Sequence, residues 1–128
     1  MSHFQKVKGY LIDLEYEITS EDLEDQLLVI EDENRGIKNM IIDIEEPIVI
    51  VEQALLKVDG DDPEVYKRLL RKNREIVHGA FCLDNDGRLI FRDTLQVDSL
   101  DCNELESSIN SLSMLLAEFH QELIDISK

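Results

Sequence analysis

The first apolar positions, Phe4, Val7, Leu11 and Leu14, are spaced by three, four and three, which places them on one helical stripe. Ser2 stands where it can cap that helix. Gly9 inside it costs about 1 kcal/mol relative to alanine, so the helix is expected to lean on tertiary packing. Residues 15–26 are acidic and weakly patterned, with room for a short edge strand around residues 16–18.

The pattern then changes to strands. Residues 27–30 are a continuous apolar run, and Glu33-Asn34-Arg35-Gly36 supplies turn chemistry, with Gly36 free to take positive φ. Residues 37–44 form a second run that stops short of Pro47, which has no N–H for a ladder. Residues 48–58 are the strongest strand. Ile48, Ile50, Ala54, Leu56 and Val58 point one way, and Val49, Val51 and Leu55 point the other. A strand apolar on both faces is expected to be central and covered on both sides.

Asp59-Gly60-Asp61-Asp62-Pro63 ends that strand and opens a helix, with Asp62 as N-cap and Pro63 at the first helical position. The spacing carries this helix to about Val77, with Val65, Leu69, Asn73, Ile76 and, at the flank, Tyr66 and Leu70 as its buried side. Lys67, Arg68, Arg71, Lys72 and Arg74 lie outside. Gly79 releases the chain into a hairpin, residues 80–97, around Asp84-Asn85-Asp86-Gly87. Asp101, with Glu104 three residues on, reads as a capping box. Leu105, Ile109, Leu112, Leu116, Phe119, Leu123 and Ile126 then form a heptad stripe, short for a coiled coil and suited to packing on a sheet. Met114, Ala117 and Ile124 lie on the other side of this last helix.

The order helix, three strands, helix, two strands, helix predicts an α+β fold. Its mainly antiparallel five-stranded sheet packs with three helices in a single domain, residues 1–128. Three helices are few for both faces of such a sheet. The face carrying Val49, Val51, Leu55 and Ile90, and the back of the last helix at Met114, Ala117 and Ile124, are therefore expected to be left over. Contiguous apolar patches of this kind mark partner or dimer surfaces.

Charge narrows the partners. The 128 residues carry 29 acidic and 13 basic side chains, a formal net charge of −16. That field repels phosphate backbones and anionic membranes and suits a partner with basic segments. There is no apolar run of signal or membrane-spanning type, and Cys82 and Cys102 lack metal-type spacing. Reduced thiols in a cytoplasm are the expectation.

Little in the chain points to catalysis. Asp84-x-Asp86-Gly87 and Asp59-Gly60-Asp61-Asp62 resemble the start of a calcium loop, but Arg88 and Pro63 stand where further ligands belong. His3, His78 and His120 are scattered without zinc spacing. There is no phosphate loop, no G-x-S-x-G and no dinucleotide fingerprint. Cys102 lies in the first turn of the last helix, where the dipole lowers a thiol pKa, so a small enzyme using Cys102, a histidine and carboxylates is the alternative. The reading is a non-enzyme with no catalytic residue, no cofactor and no metal.

Residues 69–100 resemble the C-terminal half of the small type III secretion chaperones of the CesT or Tir-chaperone type, and of their YbjN-like relatives. A Leu-Leu-x-x-Asn motif (Leu69, Leu70, Asn73) precedes a Gly-containing strand with Gly79, Phe81 and Leu83. An acidic-Gly turn from Asp84 to Gly87 follows, then Leu89 and Phe91, then Leu95, Val97 and Leu100, and a final amphipathic helix with Leu105 and Ile109. The resemblance implies a cytoplasmic, enzymatically inactive homodimer that holds a client or effector polypeptide, partly extended, on apolar patches of helix and sheet. YbjN-like members occur outside secretion systems, in regulation and stress response, which makes a regulatory domain binding a signalling protein the other implied role. Residues 15–26 depart from the pattern in having few apolar side chains. Asn73, on the buried side of its helix, is expected to hydrogen-bond backbone at the helix–strand junction, because a buried unpaired amide costs about 1–3 kcal/mol.

Overall fold

A computed structural model describes residues 2–58 and 62–127. Asp59, Gly60 and Asp61 of the acidic turn lie outside the described residues. The first helix, α1 (His3–Asp13), is capped by Ser2, whose side chain accepts from the Gln5 N–H, and it buries Phe4, Val7 and Leu11. A second helix, α2 (Pro63–Asn73), starts at Asp62, whose side chain accepts from the Glu64 N–H. The third, α3 (Cys102–Ser127), starts where Asp101 accepts from the Glu104 N–H at 2.7 Å. All three starts satisfy backbone donors that have no partner inside the helix.

The strands are β1 (Glu17–Asp22), β2 (Leu27–Asp32), β3 (Ile37–Glu45), β4 (Ile48–Lys57), β5 (Ala80–Leu83) and β6 (Arg88–Gln96). They form one six-stranded sheet in the order β1-β2-β3-β4-β6-β5, and every pairing is antiparallel. The expected count of five is corrected to six by β1. Its sequence, Glu-Ile-Thr-Ser-Glu-Asp, has one aliphatic residue, because an edge strand exposed along most of its length has little apolar surface to bury. Its register breaks at a bulge between Ile18 and Ser20.

Inward-facing rows of the sheet share a core with the helices. Leu28, Ile30, Met40, Ile42, Val49, Val51, Leu89 and Phe91 lie against Phe4, Val7 and Leu11 of α1, Leu69 of α2 and the stripe of α3. Burying each such side chain contributes about 1.5–3 kcal/mol. The α3 stripe follows the heptad spacing and adds Leu115 and Ser108 to the buried set. Two serine hydroxyls fasten α3 laterally: Ser111 donates to the His78 carbonyl at 2.6 Å, and Ser113 donates to that of Arg35 at 2.7 Å. Gly36, at φ 77°, lies so close to α3 that a Cβ there would stand 2.8 Å from Leu116 Cδ1.

Two side-chain amides tie backbone together where regular pairing stops. Gln53, 4% exposed, accepts from the Lys38 N–H at 3.1 Å and donates to the Gly36 carbonyl at 3.0 Å. This is where β3 diverges from β4, beside Asn39 with its positive φ of 49°. Asn73, the last residue of α2, does the same for Phe81 of β5. The predicted helix end at Val77 is thus corrected to Asn73, because the chain turns once that amide reaches the strand.

The face assignment on β4 is also corrected. Val49 and Val51 are fully buried and point to the helices, as does Gln53. A glutamine in that row gives it the look of an outer face, although its amide is satisfied internally. Leu55 is the extra residue of a bulge between Ala54 and Leu56 and is half-buried against the core. The bulge breaks the simple alternation, so Val58 returns to the core while Ile50 does not.

Candidate partner-binding surfaces

The uncovered face of the sheet is built from the residues that alternate with the core rows. On β3 these are Ile41, Asp43 and Glu45, between buried Met40, Ile42 and Ile44. Register aligns Val29, Ile41, Glu52 and Arg92 in one cross-strand row, and Leu27, Asp43, Ile50 and Thr94 in the next. Ile90 belongs to the same face, opposite Ala54 on one side and Cys82 on the other. A shallow depression of about 180 Å³ is lined by Ile41, Asp43, Glu45, Ile50, Glu52 and Arg92, all of them strand residues. Arg92 Nε stands 4.0 Å from Glu52 Oε2. The Asp43 carboxyl is held above the usual aspartate range by partial burial first, then by the charges of Glu45 and Glu52.

A second surface lies between the end of α2 and α3. After Asn73 the chain crosses over α3, and the Ser111 bond to His78 fixes that crossing. Ile76 packs against the core, whereas Val77 is 86% exposed and Met114 of α3 is 63% exposed. With Leu115 they line a groove of about 370 Å³ whose polar rim includes Lys72, Glu75 and Glu118. Ala117 is exposed and Ile124 half-buried on the same helix.

Beside the groove, Arg68, Arg71, Lys72 and Arg74 surround a larger open depression with Phe119 and Glu122. Arg68 pairs with Glu122 at 3.4 Å, and Lys72 pairs with Glu75 at 3.1 Å while lying 5.1 Å over the Phe119 ring. The basic helix face is thus partly neutralised by acidic neighbours.

Of the residues expected to form partner surface, the structure brings Met114, Ala117 and Ile124 onto one helix and sets Ile90 on the uncovered sheet face. Val49 and Val51 are removed from any surface by burial. Ile41, 37% exposed, takes their place on the uncovered face, beside Ile50, which is itself only 9% exposed.

The thiol chemistry weighed above has the opposite electrostatics. Burial pushes the Cys102 thiol pKa up, and Asp13, Glu106 and Asp101 push it further, so the helix dipole does not produce an activated thiolate. Among the described residues, no group of three His, Cys, Asp or Glu side chains is placed to hold a metal ion. His3 lies 3.3 Å from Glu46 and 3.7 Å from Asp98. No helix of the described residues is long and apolar enough to cross a membrane.

The CesT_Tir_1 family model matches residues 1–128. The chain belongs to that family. No protein of curated function matches it. Among solved structures, YbjN of E. coli superposes with a TM-score of 0.66 at 16% identity, covering 92% of each chain. The Yersinia pestis type III secretion chaperone SycH, solved with a stable fragment of YscM2, gives 0.67 at 16% identity, over 91% of this chain and 98% of that one. A chain of the heterodimeric ExoU–SpcU complex of the Pseudomonas aeruginosa type III secretion system gives 0.63 at 18%, over 95% and 98%. Identities this low establish the shared fold. Among its described residues the CesT_Tir_1 chain carries it with six strands and three α-helices.

Proposed function

We propose that residues 1–128 act as one chaperone-like, non-catalytic module in the cytoplasm, working as a homodimer that holds a partner polypeptide. The observation that carries this reading is the apolar surface left open on two separate parts of the fold. One part is Val77 and Met114 over the α2–α3 groove, and the other is the uncovered sheet face. A chaperone solved with a bound partner, SycH with its YscM2 fragment, lends support by shared fold.

The α2–α3 side suits a second copy of the chain. Its cations Arg68, Arg71 and Arg74 stand beside Glu118 and Glu122, so a two-fold axis can set the basic helix of one protomer against the acidic one of the other. Met114 and Val77 would supply the apolar centre of that contact.

Light scattering coupled to size exclusion at micromolar concentration tests the dimer, with twice the protomer mass expected. Met114→Asp should shift the species to monomer while leaving the circular dichroism unchanged. A wild-type protein that stays monomeric sinks the homodimer. For the partner, affinity capture from native cells followed by mass spectrometry should return one dominant polypeptide that loses solubility when expressed without this chain. A captured protein that folds and stays soluble alone would contradict the chaperone role.

A further inference from the structure

We propose that the uncovered sheet face around Ile41 and Ile50 receives a polypeptide segment in which aliphatic residues alternate with lysine or arginine. This rests on the partner-binding reading above and adds where the segment lies and what it carries.

The first argument is pattern. Neighbouring cross-strand rows read Val29–Ile41–Glu52–Arg92 and Leu27–Asp43–Ile50–Thr94, so aliphatic and acidic positions alternate along β3 and along β4, beside the aliphatic pair Leu27 and Val29 of β2. An apolar patch alone would accept any greasy segment. An apolar patch interleaved with carboxylates selects one whose own aliphatic side chains are separated by cations.

Charge balance is the second argument. Asp43, Glu45 and Glu52 line the depression, against Arg92 as its one basic side chain, itself 4.0 Å from Glu52. Partial burial first, and then the neighbouring charges of Glu45 and Glu52, disfavour the ionised Asp43 carboxyl. An arriving cation offsets those charges, whereas an anionic ligand adds to them. A second copy docking face to face would set each carboxylate near its own kind, and like charges juxtaposed across an interface cost several kcal/mol. The same-chain contact is therefore assigned to the α2–α3 side, where both signs occur.

Size is the third. About 180 Å³ is room for a side chain, below the roughly 300–1,000 Å³ of small-molecule sites. Ile41 is 37% exposed at its edge, an apolar anchor available without rearrangement.

The test uses the full chain and short fluorescent peptides in three arms: lysine alternating with valine, lysine with serine, and glutamate with valine. Anisotropy titrations are read at low and physiological salt. The lysine–valine peptide should bind, and the other two should bind at least about tenfold more weakly. The triple variant Asp43→Asn, Glu45→Gln, Glu52→Gln should weaken binding by about tenfold or more. Asp13→Asn, Glu15→Gln, Glu104→Gln, with the same change in net charge at exposed positions outside both surfaces, should stay within about twofold of wild type. Equal losses in both triples, or no binding of the lysine–valine peptide, overturn the proposal. Should the first triple fail to fold, peptide-induced amide shifts on the wild-type protein decide instead. Shifts confined to β3, β4 and β6 support the site, and shifts on α2 and α3 overturn it. A native partner held equally by wild type and the first triple would remove this site while leaving the partner-binding reading intact.

Discussion

The side-chain amide of Asn73 engages both backbone polar groups of Phe81. Its Oδ1 accepts the Phe81 N–H at 2.7 Å, and its Nδ2 donates to the Phe81 carbonyl at 3.2 Å. A single residue at the end of α2 thereby performs, for one residue of β5, the bonding that a neighbouring strand would provide. Only asparagine offers a donor and an acceptor at this reach; aspartate lacks the donor and leucine lacks both.

Replacing Asn73 with leucine leaves two part-buried backbone groups unpaired. We expect a loss of about 1–3 kcal/mol in urea unfolding, with an unchanged m-value. Asn73→Asp should fall between, because it keeps one of the two bonds. A leucine variant as stable as wild type would show that water replaces the amide without cost.

Gln53 makes the matching prediction in the core. Gln53→Leu forfeits the bonds to Gly36 and Lys38 but adds apolar volume, so its cost should be about 1–3 kcal/mol. Gln53→Glu should cost more at neutral pH, since a carboxylate almost sealed from water would face the Gly36 carbonyl. That excess should shrink as the pH is lowered and the carboxyl takes up a proton. Equilibrium unfolding at two pH values distinguishes the two substitutions.

Gly79 and Gly87 both have φ above 80°, at 89° and 82°. Alanine at either position meets the left-handed penalty of about 1–2 kcal/mol. At Gly79 the added Cβ would also stand 2.6 Å from Phe91 Cζ and 3.1 Å from the Arg92 carbonyl, whereas at Gly87 its nearest neighbour is 4.0 Å away. Gly79→Ala should therefore lower the melting temperature by clearly more than Gly87→Ala. Equal shifts would mean that the Phe91 ring moves aside freely.

Two aspartates should bend the pH–stability curve in opposite senses. Asp43 has a raised pKa, so just above the ordinary aspartate value the folded protein binds more protons than the unfolded one. Stability from this group is present at low pH and lost as pH rises through the folded value. Asp84 has a lowered pKa, chiefly because the Arg88 N–H bonds its carboxylate, with Asp86 contributing as well. Its contribution is present above the ordinary value and lost as pH falls through the lowered one. Asp43→Asn should raise stability at neutral pH relative to acid, and Asp84→Asn should flatten the acid limb. Thermal melts across the carboxylate range read both.

Much of this was legible from spacing alone. The α3 stripe and the Asp-Gly hairpin follow from local pattern, since each depends on residues near in sequence, and the bond-making role of Asn73 followed once its motif was set beside the family it resembles. The face of β4 did not, because alternation separates two rows without saying which one the helices cover. There Gln53 is satisfied inside the fold, and a bulge at Leu55 breaks the alternation. β1 was nearly invisible for a different reason: a strand held by backbone bonds at a solvent edge needs no apolar signature. The uncovered face at Ile41 and Ile50 became readable only once the register was known.

The two ends of the sheet have a consequence for how copies of the chain can accumulate. β5 is four residues long, and Asn73 occupies Phe81, the position a further strand would need first. β1 carries Glu17, Glu21 and Asp22 and is kinked by its bulge. Growth by strand addition, the route to fibres and open-ended polymers, is hindered at both termini of the ladder. Copies of the chain are thus steered away from strand-to-strand stacking and toward contacts made by side chains.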